Sequence, residues 1–262
     1  MGPEIKIYGN GWVGKAMKAL FPDATIHDPG QGRLDYLRRD VAFVCVPTPL
    51  KDGRLDTSIV EHVIRESQED LIIVRSTVMP GTCDRYPEKN IVFSPEYLGE
   101  TVGHPMADQK ARQFVILGGR AENRRRVIEL YQGVYSANVS IRQVTNYEAE
   151  VIKLSENRAI AFKVAQCQEL YDACELAGID YNVIREAVYG DDPRFNLWWT
   201  FVYPEKRGFN SKCIPKDVYG WNARAESLGY EPELTRMMLA INERYISGAP
   251  EHGEACVEAH AG

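Results

Sequence analysis

A run of about 30 residues without proline or glycine is the feature that most constrains the fold of this chain. It begins at Thr145, which has capping-box spacing from Glu148, and it ends at Gly178. The run predicts one helix that is longer than most helices of globular proteins. Its apolar side chains, such as Val151 and Leu154, fall on more than one face, which is typical of a helix buried between domains or subunits.

The residues before this helix predict a different architecture. Short runs rich in β-branched residues alternate with helical stretches, which is the rhythm of a parallel α/β sheet. We therefore expect an α/β Rossmann-type parallel sheet domain at 1–144, an all-helical central domain built on the long helix at 145–246, and a flexible tail at 247–262. The predicted strands are "EIKIYG", "ATIHD", "VAFVCVP", "DLIIVRST", "NIVFSP", "QFVILGG" and "ANVSIRQV", and shorter helices are expected near 181–188, 216–228 and 232–246.

Composition excludes several classes of function. The 262 residues are 44% apolar and 26% charged with a net charge of −6, so the chain has no overall positive field for nucleic acid or anionic lipid. No apolar run approaches the ~18 residues of a membrane span, and the N-terminus resembles no signal peptide, so we expect a soluble, cytoplasmic protein. The six cysteines lack metal-ligand spacing and are too sparse for a disulfide framework, which predicts reduced thiols and no metal site.

The sequence "YGNGWVG" predicts a dinucleotide site. Gly9, Gly11 and Gly14 have G-x-G-x-x-G spacing after a predicted strand and before a helix, whose N-terminal amides can receive a pyrophosphate. Asp28 ends the next predicted strand, where a carboxylate bonds both ribose hydroxyls and repels a 2′-phosphate. NAD is thus favoured over NADP. The other residues of the predicted cofactor turn are Asn10, Trp12 and Val13.

Five further segments resemble the UDP-glucose/GDP-mannose 6-dehydrogenase family. The resemblance runs in order from Gly9 to about Arg244, and several motifs in register are more specific than any one. It implies oxidation of a sugar C6 hydroxyl to a carboxylate with two NAD+ and a covalent cysteine intermediate. The segments are "VPTP", "RSTVMPGT", "SPEYLGE", "EVIKLSEN" and "GFNSKCIPKD".

The resemblance implies that Cys213 is the nucleophile, and the chemistry supports this role. An alcohol becomes an acid through an aldehyde, which a thiol captures as a thiohemiacetal that can be oxidised to a thioester. Lys153 and Asn157 lie four residues apart on the long helix, so both can reach the oxygen that gains negative charge.

The remaining expected roles come from the same resemblance. Asp217 and Thr77 would hold a water or the substrate hydroxyl, Glu96 would be the general base for thioester hydrolysis, and Glu100 repeats the second glutamate of its segment. Arg194 resembles an arginine that family dimers insert into the neighbouring site. Expected cofactor contacts are Val46, Pro47, Thr48, Ser76, Thr77 and Lys216. Expected substrate contacts are Tyr97, Leu98, Lys153, Arg194, Gly208, Phe209 and Lys212.

Some features depart from the family pattern. Asn210, Ser211 and Lys212 replace a glycine-rich approach to the cysteine, and no second nucleotide domain is expected after the last helix, as in a compact variant or a shortened chain. These departures affect recognition of the substrate and leave the catalytic residues in place. An anionic nucleotide sugar or sugar phosphate is expected, with Arg207 among the candidate phosphate contacts. We expect a homodimer formed through the long helix. Two alternatives stay open, a two-electron β-hydroxyacid dehydrogenase and a non-catalytic NAD-binding subunit.

Overall fold

The computed structural model describes residues 2–28, 39–99 and 113–248, so the end of the predicted tail lies outside the described residues. The chain divides into two compact units, Met1–Leu154 and Ser155–Gly262. None of the helices within the described ranges is long and apolar enough to cross a membrane.

The first unit is built on a five-stranded parallel sheet. Its strands are β1 (Ile5–Tyr8), β2 (Thr25–His27), β3 (Val41–Val44), β6 (Leu71–Val74) and β7 (Ile91–Phe93), in the order β2-β1-β3-β6-β7. The chain runs from β1 outward to β2 and then returns to the other side of β1 to form β3. The carboxyl ends of β1 and β3 therefore flank the crevice where α/β sheets bind ligands. The helices that pack on this sheet are α1 (Trp12–Leu20), α2 (Ser58–Glu66) and α3 (Ala121–Gln132).

Both faces of this sheet are buried, which explains why its strands read as continuous apolar runs. On one face, Ile7 and Phe43 pack with Met17 of α1 and Val127 of α3. The opposite face is covered by α2. Its cluster includes Tyr8, Ala42, Val44, Val60, Val63, Ile64, Ile72 and Val74.

Two smaller pairs of strands complete this unit. The hairpin of β4 (Leu50–Lys51) and β5 (Arg54–Leu55) turns through Asp52 and Gly53, which both have positive φ. The Asp-Gly pair permits such a turn. The strands β8 (Phe114–Gly118) and β9 (Ser140–Val144) pair in parallel. All seven strands predicted from the sequence are confirmed, whereas the hairpin was not predicted.

A buried ion pair lies within the sheet unit. The Lys6 ammonium is 3.1 Å from the Glu69 carboxylate, both side chains are almost fully buried, and the Tyr8 hydroxyl donates to Glu69 at 3.3 Å. Because removal of one partner would leave the other charge buried, loss of either side chain is strongly destabilising even though the intact pair adds little net stability.

The long helix α4 (Asn146–Ala177) confirms the central prediction of the sequence. The backbone N–H of Thr145 donates to the Glu148 carboxylate at 2.7 Å, and the backbone N–H of Glu148 donates to the Thr145 hydroxyl at 3.2 Å. These reciprocal bonds are the predicted capping box.

Further helices follow α4 in the second unit. They confirm the predicted α/β domain followed by a helical domain. Phe209, which lies between two of them, packs with Ala161 and Ala165 of α4. The elements are α5 (Tyr181–Glu186), a π-helical turn (Ala187–Asp191), α6 (Ile214–Ser227) and α7 (Glu233–Ser247).

Candidate active site

The glycine turn after β1 has a backbone that only glycine accommodates. Gly9 has φ of +103°, and a Cβ there would lie 2.5 Å from the carbonyl oxygen of Cys45. A Cβ on Gly14 would collide with the carbonyl of Gly9, so α1 packs directly against the turn. The N-cap of α1, Gly11, provides no side-chain cap, and the first turn of α1 carries no acidic residue. These features fit a pyrophosphate at the N-terminal amides.

The other predicted cofactor residues lie at the carboxyl ends of the same parallel strands. Asp28 directly follows β2, and the backbone N–H of Gly9 donates to the carbonyl of His27 at 2.7 Å. The Ser76 hydroxyl after β6 donates to the carbonyl of Val46 after β3 at 2.6 Å. The sheet therefore gathers most of the predicted NAD contacts at one edge. Val46, Thr48 and Ser76 are buried, Asn10, Val13 and Thr77 are partly buried, and Trp12 and Pro47 are exposed.

The predicted base, Glu96, is held by a buried arginine. Arg75 is fully buried, forms an ion pair with Glu96, and donates to the carbonyl and hydroxyl of Ser94, each at 2.8 Å. Glu96 also accepts the backbone N–H groups of Tyr97 and Leu98 at 2.6 and 2.7 Å. Burial alone would lower the pKa of Arg75, but Glu96, together with Tyr131, Tyr135 and Cys45, outweighs this effect and raises the pKa of the guanidinium above its ordinary value. This geometry fixes the direction of the Glu96 carboxylate.

Lys153 lies on α4 in the first unit and is almost completely buried. Its ammonium is 4.5 Å from the ring centroid of Tyr97, which the sequence predicted as a substrate contact. Such a cation–π contact holds the Lys153 ammonium against the face of the Tyr97 ring. The neighbouring Leu98 is partly buried, and Glu100 lies outside the described residues.

The predicted nucleophile Cys213 is exposed and forms the N-cap of α6 in the second unit. The other described cysteines are all buried. The amides of a helix N-terminus favour negative charge, and this position therefore suits a thiolate. Ser211, one of the residues that departs from the family pattern, accepts the backbone N–H of Ile214 at 3.2 Å. It thus caps the same helix end.

Asp217 lies one turn into α6 and is completely buried. It accepts a hydrogen bond from the Asn157 side-chain amide at 2.5 Å and pairs with the Lys216 ammonium at 2.5 Å. The structure thus joins two predicted catalytic residues, Asn157 and Asp217, with Lys216, which the sequence assigned to the cofactor. The hydrogen bond aligns the amide of Asn157, and the Lys216 ammonium compensates the buried negative charge of Asp217.

The predicted substrate residues of the second unit have different surroundings. Gly208 has φ of +72°, and Asn242 accepts the backbone N–H of Phe209 at 2.8 Å and donates to its carbonyl at 3.0 Å. Phe209 itself is buried in the helical core, so its side chain holds the turn in place. Lys212 is exposed, and Arg194 is exposed and paired with Asp192.

Arg207 is already engaged within its own unit. Its guanidinium is 2.7 Å from Asp172, donates to Gln168, and lies over the rings of Tyr171 and Tyr245. The expectation that this charge contacts a phosphate therefore has no support in this arrangement, because the guanidinium is satisfied by the helical core.

Comparison with protein families assigns both units. Residues 33–137 match the NAD binding domain of the UDP-glucose/GDP-mannose dehydrogenase family, and residues 147–244 match its central domain. The chain belongs to this family. The match confirms the predicted NAD cofactor and the order of a nucleotide-binding domain and a helical domain.

Curated members of the family resemble the chain over most of its length. A UDP-glucose 6-dehydrogenase of Haloferax volcanii is 26% identical, with 95% of this chain and 70% of that protein covered. A GDP-mannose 6-dehydrogenase of Pseudomonas aeruginosa is 27% identical, with 81% and 53% covered. This family member thus spans about half to 70% of the length of these relatives.

Solved structures show the same fold. A UDP-glucose dehydrogenase of Pyrobaculum islandicum superposes with a TM-score of 0.76 at 23% identity, covering 93% of this chain and 68% of that one. A UDP-D-ManNAc dehydrogenase of Pyrococcus horikoshii gives 0.75 at 19% identity, covering 92% and 68%.

Sequence reasoning gave no role to two buried charged residues of this family member, Arg75 and Glu150. Arg75 directly follows an apolar strand. A charged side chain that is buried at such a position needs a partner of opposite charge. Glu150 shares one face of α4 with Lys153 and Asn157 through i, i+3 and i+7 spacing, and all three are buried. That polar stripe on a buried helix was the available signal.

Proposed function

We propose that this chain is an NAD-dependent nucleotide-sugar 6-dehydrogenase that oxidises a primary alcohol to a carboxylate in two steps. The observation that carries the proposal is Cys213, an exposed thiol at the N-terminus of α6, on the helix that also carries the Asn157-bonded Asp217. Family membership and the glycine turn support the use of NAD.

Different residues of the first unit would bind different parts of NAD. The Gly9–Gly14 turn and the amides of α1 would hold the pyrophosphate, and Asp28 would hold the ribose hydroxyls. Val46, Thr48, Ser76 and Thr77 would line the rest of the cofactor site. The chemistry that NAD supplies when bound is acceptance of a hydride, once in each oxidation.

Cys213 accounts for the second oxidation. The alcohol first loses a hydride and a proton to give an aldehyde. The Cys213 thiolate adds to the aldehyde carbon, and protonation of the oxygen gives a thiohemiacetal. Loss of the second hydride, with the hydroxyl proton, gives a thioester. Water then cleaves the carbon–sulfur bond, which releases the carboxylate and regenerates the thiol.

The other residues act on charge and water. Lys153 and Asn157 would donate hydrogen bonds to the substrate oxygen as negative charge develops on it. Glu96 would accept the proton of the hydrolytic water, with Arg75 fixing its direction. Asp217 and Thr77 would orient that water or the substrate hydroxyl, and Glu100, the second glutamate of its segment, remains a proposed catalytic residue.

The substrate class follows from the relatives. They are named as dehydrogenases of UDP-glucose and GDP-mannose, so we propose a nucleotide sugar, with UDP-glucose tried first. Tyr97, Leu98, Gly208, Phe209 and Lys212 remain the proposed substrate contacts. The homodimer, the insertion of Arg194 into a neighbouring site and the cytoplasmic location are proposed on the same basis.

The test is the number of NADH molecules formed per substrate molecule consumed. The proposal predicts two NADH and one carboxylate from a sugar nucleotide, measured by absorbance and product analysis across UDP-glucose, GDP-mannose and simple sugar phosphates. One NADH from a 3-hydroxy acid, with none from any sugar, would instead establish the two-electron alternative. Binding of NAD without turnover of any substrate would indicate the non-catalytic alternative.

A further inference from the structure

The segment between β6 and β7 carries Ser76 and Thr77, two residues of the proposed cofactor and water sites. Its start is anchored by the bond from Ser76 to the carbonyl of Val46. Its middle is anchored to the first turns of α4 by Glu150, a residue to which the sequence analysis assigned no role.

Glu150 accepts two backbone hydrogen bonds from this segment. Its Oε2 accepts the N–H of Gly81 at 2.5 Å, and its Oε1 accepts the N–H of Cys83 at 2.9 Å. Gly81 has φ of +94°, and a Cβ there would lie 3.8 Å from the ring of Tyr147 on α4. The turn at Gly81 thus places two N–H donors so that each one meets a different oxygen of the Glu150 carboxylate.

The charge of Glu150 has no cationic partner in the described part of the chain, although the residue is fully buried. Burial raises the pKa of Glu150 to about 7, an effect that Asp84 enhances and the bonds from Cys83 and Gly81 oppose. The other titratable neighbour is the buried Cys83 thiol, whose pKa is also raised by burial and then by Glu150, so the thiol stays protonated. Both forms of the carboxyl are therefore populated near neutral pH.

We propose that Glu150 is a positioning residue that ties the segment carrying Ser76 and Thr77 to the helix carrying Lys153. Its catalytic meaning rests on the proposed function. When ionised, the carboxylate accepts both N–H groups with charge-assisted bonds. When protonated, it is a weaker acceptor and one oxygen becomes a donor, so the attachment loosens as the pH falls.

Titration of Glu150 changes the free energy of unfolding and the attachment of the segment in opposite directions, so the two effects can be distinguished by experiment. The folded chain binds a proton at Glu150 more readily than the unfolded chain, whose glutamate has a pKa near 4.5. The free energy of unfolding therefore falls as the pH rises from about 5 through about 7. While Glu150 stays buried, in contrast, its ionisation strengthens the two bonds to Gly81 and Cys83, so local attachment of the segment improves over the same range. A glutamate with a merely structural role would not link NAD affinity to this titration.

The experiment compares Glu150→Gln with Glu148→Gln, which removes a carboxylate from the same helix end on its exposed side. Glutamine offers one acceptor oxygen, so the amides of Gly81 and Cys83 should exchange with D2O about tenfold faster or more at pH 8. NAD affinity by titration should weaken several-fold at pH 8, and its rise between pH 6 and pH 8 should disappear. The Glu148→Gln variant should retain the wild-type exchange and NAD profile.

Unchanged exchange and an unchanged NAD profile in Glu150→Gln would overturn the inference. If that variant does not fold, the wild-type chain still decides: protection of the two amides, corrected for intrinsic exchange, should rise between pH 6 and pH 8, and constant protection would contradict the attachment. Failure of the wild-type chain to oxidise any sugar nucleotide would overturn the proposed function alone, since exchange and NAD titration require no turnover.

Discussion

The two units differ in the apolar surface they leave exposed. In the described part of the first unit, the exposed large hydrophobic side chains are Trp12, Leu50 and Ile59. The second unit, although smaller, exposes many more. They are Leu176, Ile179, Val183, Val188, Phe195, Leu197, Trp198, Phe201, Tyr203, Leu228, Tyr230, Leu234, Met237 and Ile246.

The difference indicates that cofactor binding and contact with a second copy of the chain are assigned to different units. The sheet unit buries two ion pairs, Lys6 with Glu69 and Arg75 with Glu96, among helices that cover both faces. The helical unit exposes Cys213 along with the apolar side chains. These exposed apolar side chains are available for contact with a second copy of the chain, as the proposed homodimer requires.

The largest predicted effect contrasts a buried with an exposed ion pair. Arg75→Met leaves the buried Glu96 carboxylate without its cation, so the free energy of unfolding should fall by about 3–5 kcal/mol. Arg194→Met removes the exposed pair with Asp192 and should leave stability unchanged within error. Chemical denaturation measures both. Equal stability of the two variants would show that the first unit does not depend on its buried charges.

The next prediction concerns the donors on α4. Lys153→Met and Asn157→Leu should each lower kcat by about 10² with a smaller change in KM, because their bonds strengthen as charge develops. Lys163→Met is a matched control on the same helix, since Lys163 donates to Asn196 at the surface. Steady-state kinetics would contradict the assignment if only KM changed.

A smaller effect is expected on assembly. Leu176→Lys and Val183→Lys place charges on exposed apolar positions of the second unit, and each should weaken the proposed dimer about tenfold by sedimentation. Ile59→Lys makes the same change on the first unit and should leave the sedimentation profile unchanged. A wild-type monomer at micromolar concentration would remove the dimer proposal itself.

The smallest effect concerns helix ends in the two units. Thr145→Ala removes the side-chain half of the capping box and should cost about 1 kcal/mol of stability. Asp180→Ala removes the acceptor of the Asn182 N–H at the start of α5 and should cost a similar amount. Thermal unfolding measures both, and Thr145→Ser, which keeps the hydroxyl, should remain close to wild type.

Local patterns predicted the parts of the fold that depend on local physics. Buried strands such as Val41–Val44 are apolar runs because both sheet faces are covered, and α4 follows from its capping box and its lack of breakers. The Asp52-Gly53 pair is a sequence pattern typical of a hairpin turn, but the hairpin was not predicted from it. The π-helical turn Ala187–Asp191 has no such signal, since it depends on tertiary contacts.

The candidate site was predictable to the extent that its residues act through spacing or motif. The glycine turn depends on spacing alone, and the Asn157 and Asp217 roles came from the family resemblance. The Arg75–Glu96 pair and the attachment of Gly81 and Cys83 by Glu150 join distant parts of the chain. Such pairs are fixed by sheet order and helix register, which a single sequence does not specify.

One comparison of Cys213→Ala with wild type tests most directly whether NAD binding and covalent catalysis depend on different units. NAD affinity and carboxylate formation are measured on the same preparations. The account predicts that the variant binds NAD like wild type, because the proposed cofactor turn lies in the first unit, but forms no carboxylate from a nucleotide sugar. Carboxylate formed by the variant at a rate near that of wild type would contradict the covalent role of Cys213.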